Sequence, residues 1–332
     1  MLMRAPIPAL SGIKVPAVTA RDARYRIQSS WVRIGRDFFP FTYCCLLVMT
    51  PAETLSITAP DGHRFDAGLY RAASTAAPVL IFLSALGTPS RVYRGFASAM
   101  AGQGVQVCTP DWRGMASSSV RASRRHDHGY RQLVEIDAPA LVDQLTGLFP
   151  ASRLWIGGHS LGGQLATLIA ARQPERFHGL LPIASGSVFL ACYPRRLQRG
   201  IRLLGLLSGL TGAVLGHFPG QRIGFGGREA RGVMKDWVHV AHTGRYEPAG
   251  SAFNYEAALA TLAMPVLTLN FQGDSWAPEP AARYLLGKLP LCQREPWIWG
   301  DDAADGAHLD HFSWTRHPQW LAPRIAAWLL SH

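Results

Sequence analysis

With 332 residues, 48% hydrophobic and 17% charged, the chain can bury a full core and fits one large α/β domain with an insertion as well as two domains. Extended disorder away from the ends is excluded by that balance. The net charge of +11 raises nucleic-acid binding, but the excess is local: residues 1–48 hold seven basic and two acidic side chains, and residues 188–250 hold nine and three. No nucleic-acid-binding motif accompanies it, so no nucleic-acid partner is expected. Cys44, Cys45, Cys108, Cys192 and Cys292 show neither metal-ligand spacing nor a disulfide framework, which points to a reducing, cytoplasmic setting.

In chain order, residues 1–48 mix Arg, Pro and Ser without a sustained period and end in the apolar run 38–48. That run is too short to span a bilayer and lies too far in for a secretory signal. Residues 1–48 are therefore expected to be a disordered leader or a start-site artefact, and 49–332 the working domain. Residues 55–70 flank a Pro60-Asp61-Gly62-His63 turn and predict a hairpin. Strands are predicted at 78–83, 105–109, 154–156, 179–184, 265–270 and 295–299, and helices at 90–101, 136–149, 161–171 and 319–330. This alternation specifies a mostly parallel sheet with helices on both faces. It breaks over about 188–262, which reads as an inserted helical cap above the C-terminal strand ends, where ligands bind in open α/β folds. Within it the uncharged run 203–218, with glycines at near-helical spacing, reads as a buried cap helix rather than a membrane span.

The chemistry is concentrated in Gly158-His159-Ser160-Leu161-Gly162, between a short apolar strand and an apolar helix. A serine on such a tight turn projects its hydroxyl above the sheet, and small flanking residues let the turn form. Leu161 N then lies at a helix N-terminus, where unpaired amides favour developing negative charge. A serine hydroxyl needs a general base, itself oriented by a carboxylate. Asp274 follows the 265–270 strand. Three later histidines could serve as base: His308, His311 and His317. His311, in an aromatic-rich stretch before the last helix, is favoured. Leu86, in the loop after the 78–83 strand, is the candidate second oxyanion donor beside Leu161, with Gly87 and Thr88 as neighbours. Gly87, His159 and Trp276 are candidates for the substrate side, His159 with packing as its principal role. His239 and His242 lack a third ligand, so no metal is expected, and no cofactor is implied.

Taken with Thr109-Pro110-Asp111-Trp112-Arg113-Gly114, the elbow, Asp274 and His311 resemble the α/β-hydrolase superfamily. More narrowly the chain is similar to predicted bacterial α/β-hydrolases near the serine aminopeptidase-like and lysophospholipase-esterase branch. That resemblance rests on Ala85-Leu86-Gly87-Thr88 with Tyr93-Arg94, Phe218-Pro219-Gly220 with Arg222, Asp274 with Trp276-Ala277-Pro278, and His311-Phe312 with Trp314. Two departures stand out: Ala116 replaces the second glycine of the Asp111 turn, and Ser84-Ala85 stands where many relatives carry His-Gly. The implied activity is a serine hydrolase cleaving carboxylic esters of hydrophobic or acyl substrates through an acyl-enzyme. The same triad also fits an acyltransferase, and the fold alone fits a non-catalytic ligand-binding homologue. The expected partner is a small ester or lipid-like molecule. Arg195, Arg196, Arg199 and Arg202 in the cap suggest peripheral contact with a membrane surface.

Overall fold

The computed structural model describes residues 31–34, 37–40, 53–300 and 309–332. By contacts the chain divides into two units, Met1–Leu46 and Leu47–His332. The expected leader lies outside the described residues except for β1 (Trp31–Ile34) and β2 (Asp37–Pro40), which pair antiparallel.

The second unit is organised by eight strands: β3 (Glu53–Thr58), β4 (Arg64–Tyr70), β5 (Val79–Leu83), β6 (Gln106–Pro110), β7 (Leu154–His159), β8 (Gly179–Ile183), β11 (Pro265–Phe271) and β12 (Gln293–Trp299). Their spatial order is β12-β11-β8-β7-β5-β6-β4-β3. The β3–β4 and β4–β6 pairs are antiparallel, and the others are parallel. This is the mostly parallel sheet that the strand and helix alternation predicts.

β5 shows why its continuous apolar run forms a central strand. Val79, Ile81 and Leu83 join one core cluster, and Leu80 and Phe82 join the other. Period-two alternation therefore buries both faces, and a helical reading of these residues would leave neither face coherent. Helices α1 (Arg94–Gly102) and α9 (Pro318–Ser331) cover the Leu80 face. Helices α3 (Ala138–Leu148), α4 (Leu161–Arg172) and α8 (Glu279–Gly287) cover the other. A short α2 (Tyr130–Gln132) runs through a wide helical turn into α3. Trp314, fully buried, packs edge-on against Phe82 and Phe96, so truncating it to Ala would cost about 3–5 kcal/mol.

Between β8 and β11 the chain leaves the sheet. It forms α5 (Arg195–Leu215), the antiparallel pair β9 (His217–Pro219) and β10 (Arg228–Ala230), α6 (Arg231–Thr243) and α7 (Tyr255–Thr261). The helix expected within 203–218 exists, but it starts earlier and stops at Gly216, whose φ of 78° ends it in a left-handed cap. Its expected burial is corrected by the structure. Only Ser208 and Gly212 are buried, while Leu203, Leu206, Leu210 and Val214 are 56%, 61%, 56% and 60% exposed. The cause is that the small residues, not the leucines, make the packing face: a Cβ on Gly205 would touch Val238, and one on Gly212 would touch Arg231, both on α6. No helix among the described residues is long and apolar enough to cross a membrane.

Candidate active site

β7 carries the chain into Ser160, held at φ 54° and ψ −117°. A non-glycine residue keeps such a conformation only where its surroundings over-determine it. Here Ser160 N donates to Ile183 O at 3.0 Å, and Ser185 Oγ donates to Ser160 O at 2.8 Å. The flanking glycines have a direct reason: a Cβ on Gly158 would lie 2.7 Å from Leu83 O, and one on Gly162 would collide with the same carbonyl. The elbow thus rests on the backbone end of β5, an approach that no side chain permits.

Asp274 follows β11 after Gly273, whose φ of 77° turns the chain back. Its Oδ1 accepts hydrogen bonds from Trp276 N at 2.8 Å and Ala277 N at 3.1 Å, leaving Oδ2 directed at His311 Nδ1, 2.8 Å away. His311 Nε2 lies 3.0 Å from Ser160 Oγ. Asp274 and His311 are 6% and 4% exposed, so bulk water does not compete for the relay. The imidazole packs between the rings of His159, Trp276 and Phe312, at centroid distances of 4.8, 6.1 and 4.8 Å. Of the alternative bases, His308 lies outside the described residues, and His317 sits at the start of α9.

Two backbone amides near this group make no hydrogen bond among the described residues. Leu161 N opens α4, and neither it nor Leu86 N donates a hydrogen bond among the described residues, whereas Ala85 N donates to the Tyr93 hydroxyl and Thr88 N to Ala85 O. Leu86 and Leu161 both line a cavity of about 450 Å3 that also receives Ser160 and His311. Its walls are largely apolar: Ile201 and Leu204 of α5, Phe225, Trp237 and Trp276. Phe225 stacks on Trp276 at 5.8 Å and 24°.

The three substrate-side candidates separate. Trp276 lines the cavity. His159 does not; it is fully buried, its Nδ1 is 2.8 Å from Tyr93 Oη, and burial together with the nearby His311 pushes its pKa well below the usual histidine value. It is a neutral packing ring beside His311 rather than a residue of the substrate side. Gly87 does not line the cavity either, and a Cβ on it would strike the Gly226–Gly227 turn. Its φ of 67° and this close approach explain the glycine.

Several residues escaped the sequence reading. Ser185, Phe225 and Tyr193, whose hydroxyl donates to Trp276 O at 3.0 Å, act through contacts distant in sequence, so no local spacing marks them, and the bond of Tyr93 to His159 is equally unmarked. Glu229 is another: its Oε1 accepts a hydrogen bond from Gly227 N at 2.6 Å, and burial lifts its carboxyl to about 7. A second Ser–His–Asp cluster is also present, with His63 2.8 Å from Ser118 Oγ and 3.0 Å from Asp137 Oδ1. All three residues are buried, and Arg113 binds Asp137, so this trio ties the β3–β4 turn to the start of α3. No cluster of three or more potential metal ligands occurs among the described residues.

Comparison with known proteins agrees with this architecture. Residues 74–210 match the family described as serine aminopeptidase, S33. A pimeloyl-[acyl-carrier protein] methyl ester esterase of Aeromonas hydrophila is 29% identical over 114 residues, 34% of this chain and 40% of the relative's length. The corresponding protein of Shewanella woodyi is 40% identical over 63 residues, 19% of this chain and 24% of its own length. Among solved structures, a candidate lipase from Acinetobacter baumannii superposes with a TM-score of 0.61 at 17% identity, covering 90% of this chain and 98% of its own. With this sheet order and a serine elbow at the end of β7, the chain has the α/β-hydrolase fold.

Proposed function

We propose that the protein is a serine hydrolase of carboxylic esters, with Ser160, His311 and Asp274 as its catalytic triad. The observation that carries this reading is the unbroken Ser160–His311–Asp274 relay, at 3.0 and 2.8 Å, opening on a cavity with two unpartnered amides. Ser160 Oγ attacks the ester carbonyl while His311 Nε2 takes its proton. Asp274 holds Nδ1–H toward itself, which keeps Nε2 free as the base and stabilises the imidazolium that forms. The developing oxyanion is received by Leu161 N and Leu86 N, the first aided by the α4 dipole. His311 then returns its proton to the leaving alcohol. Water, activated by the same imidazole, releases the acyl group from Ser160.

The segment between β8 and β11 acts as the cap and selects the substrate. Ile201, Leu204, Phe225 and Trp237 present apolar surface to the acyl side, so burial rather than ion pairing supplies most of the binding energy, at roughly 25 cal/mol per Å2 of apolar area. A hydrophobic acyl ester is the substrate class this favours. A panel of p-nitrophenyl esters of increasing acyl length tests it: turnover rising from acetate to medium-chain acyl groups is expected. Equal loss of all turnover in Ser160→Ala accompanies it. Unchanged hydrolysis by that variant would overturn the assignment.

A further inference from the structure

We infer that the outer face of α5 is a docking surface for an anionic lipid bilayer. At 100° per residue, Leu203, Leu207, Leu210 and Val214 fall on one stripe, with Leu206 beside it. Leu203, Leu206, Leu210 and Val214 are each more than half exposed, and Leu207 is 38% exposed. The same stripe continues toward the helix start as Arg196 and Arg199, flanked by Arg195 and Arg202. All four arginines are exposed, and α5 contains no Asp or Glu. None of the four has an ion-pair partner among the described residues.

That pattern fits a bilayer better than a protein partner of like kind. A membrane surface offers phosphates above hydrocarbon, which matches guanidinium groups at one end of an apolar stripe, and such a helix lies in the interface plane. A second copy meeting α5 through the same face would bring no carboxylate of α5 to the arginines. The flank of α5 between this stripe and the α6-packing face contributes Leu197, Gly200, Ile201 and Leu204 to the cavity. A bilayer on the outer face would therefore lie within one helix diameter, about 10 Å, of the site. The docking itself does not depend on the catalytic reading.

The test is co-sedimentation of the full chain with vesicles of phosphatidylcholine alone or with one-third phosphatidylglycerol, at low and high salt. Size-exclusion chromatography with light scattering on the same samples completes it. Binding is expected to anionic vesicles, at least tenfold weaker to neutral ones, and reduced by salt. The double variant Leu206→Glu/Leu210→Glu and the pair Arg196→Glu/Arg199→Glu should each weaken binding more than tenfold while leaving turnover of a soluble short-chain ester unchanged. Ser160→Ala should bind vesicles as the parent does, which separates failure of docking from failure of the catalytic assignment. The inference is overturned if the parent chain ignores anionic vesicles, or if the leucine and arginine variants bind as well as the parent. It is equally overturned if the leucine variant merely dissociates a dimer, or if an acidic carrier protein binds this face and vesicles do not.

Discussion

Tyr93 Oη accepts a hydrogen bond from Ala85 N at 3.0 Å and lies 2.8 Å from His159 Nδ1. One buried hydroxyl thus ties the loop carrying Leu86 to the residue before Ser160. By occupying Ala85 N it leaves Leu86 N as the free amide next along the loop. Tyr93→Phe removes the tie without removing the ring. Two buried polar groups lose their partner, a destabilisation of about 1–3 kcal/mol. Thermal unfolding should show it as a lowered Tm. In ester kinetics kcat should fall about tenfold with KM nearly unchanged if Leu86 N holds the oxyanion, because the loop carrying it loosens and the cavity walls do not.

Asp274→Asn keeps the size of the side chain and changes its hydrogen bonding. An amide that turns its NH2 toward His311 Nδ1 favours the tautomer with the proton on Nε2, which cannot accept the Ser160 proton. Loss of kcat by roughly 10^3 to 10^4 is expected, with folding intact by circular dichroism. A loss below tenfold would assign the orienting role elsewhere.

Two glycines with similar backbone angles should respond differently to alanine. Gly87 has φ 67°, and a Cβ there would strike Gly227 N, whereas Gly62 has φ 81° with nothing within 4 Å of the added atom. Gly62→Ala carries the left-handed strain alone, about 1–2 kcal/mol. Gly87→Ala must also displace the Gly226–Gly227 turn from the Leu86 loop. The first variant should keep near-parental turnover, and the second should lose more than tenfold; steady-state assays on both decide it.

Glu229 supplies a pH dependence. Its carboxyl is raised by burial from about 4.5 to about 7, so between these values the folded protein holds a proton that the unfolded chain has released. Stability from this group is therefore present below about pH 4.5 and declines as pH rises toward 7. Glu229→Gln, which stays neutral, should raise Tm relative to the parent at pH 8 and change it little at pH 5. Equal shifts at both values would assign no titration to this site.

Much of this architecture is legible in the sequence because it is local. The β5 run announces a doubly covered strand, and Gly158, Ser160 and Gly162 announce a turn that only small neighbours allow. Asp274 and His311 are readable because each follows a strand candidate. What could not be read depends on distant approach. The α5 run looks like a buried helix because its hydropathy is high, yet the partner face is made by Gly205, Ser208 and Gly212, and which face meets α6 is decided by tertiary packing. His159 and Gly87 neighbour the site in sequence but do not line the cavity, since the His159 ring at the end of β7 is held by Tyr93 and Gly87, in the loop after β5, is packed against the Gly226–Gly227 turn.

Intact-mass measurement and peptide mapping after treatment with a fluorophosphonate probe show whether Ser160 is a nucleophile activated by His311. One stoichiometric adduct on the peptide carrying Ser160 is expected, slowed at least a hundredfold in His311→Ala and absent in Ser160→Ala. An adduct on any other residue, or labelling of Ser160 at the parent rate without His311, would contradict it.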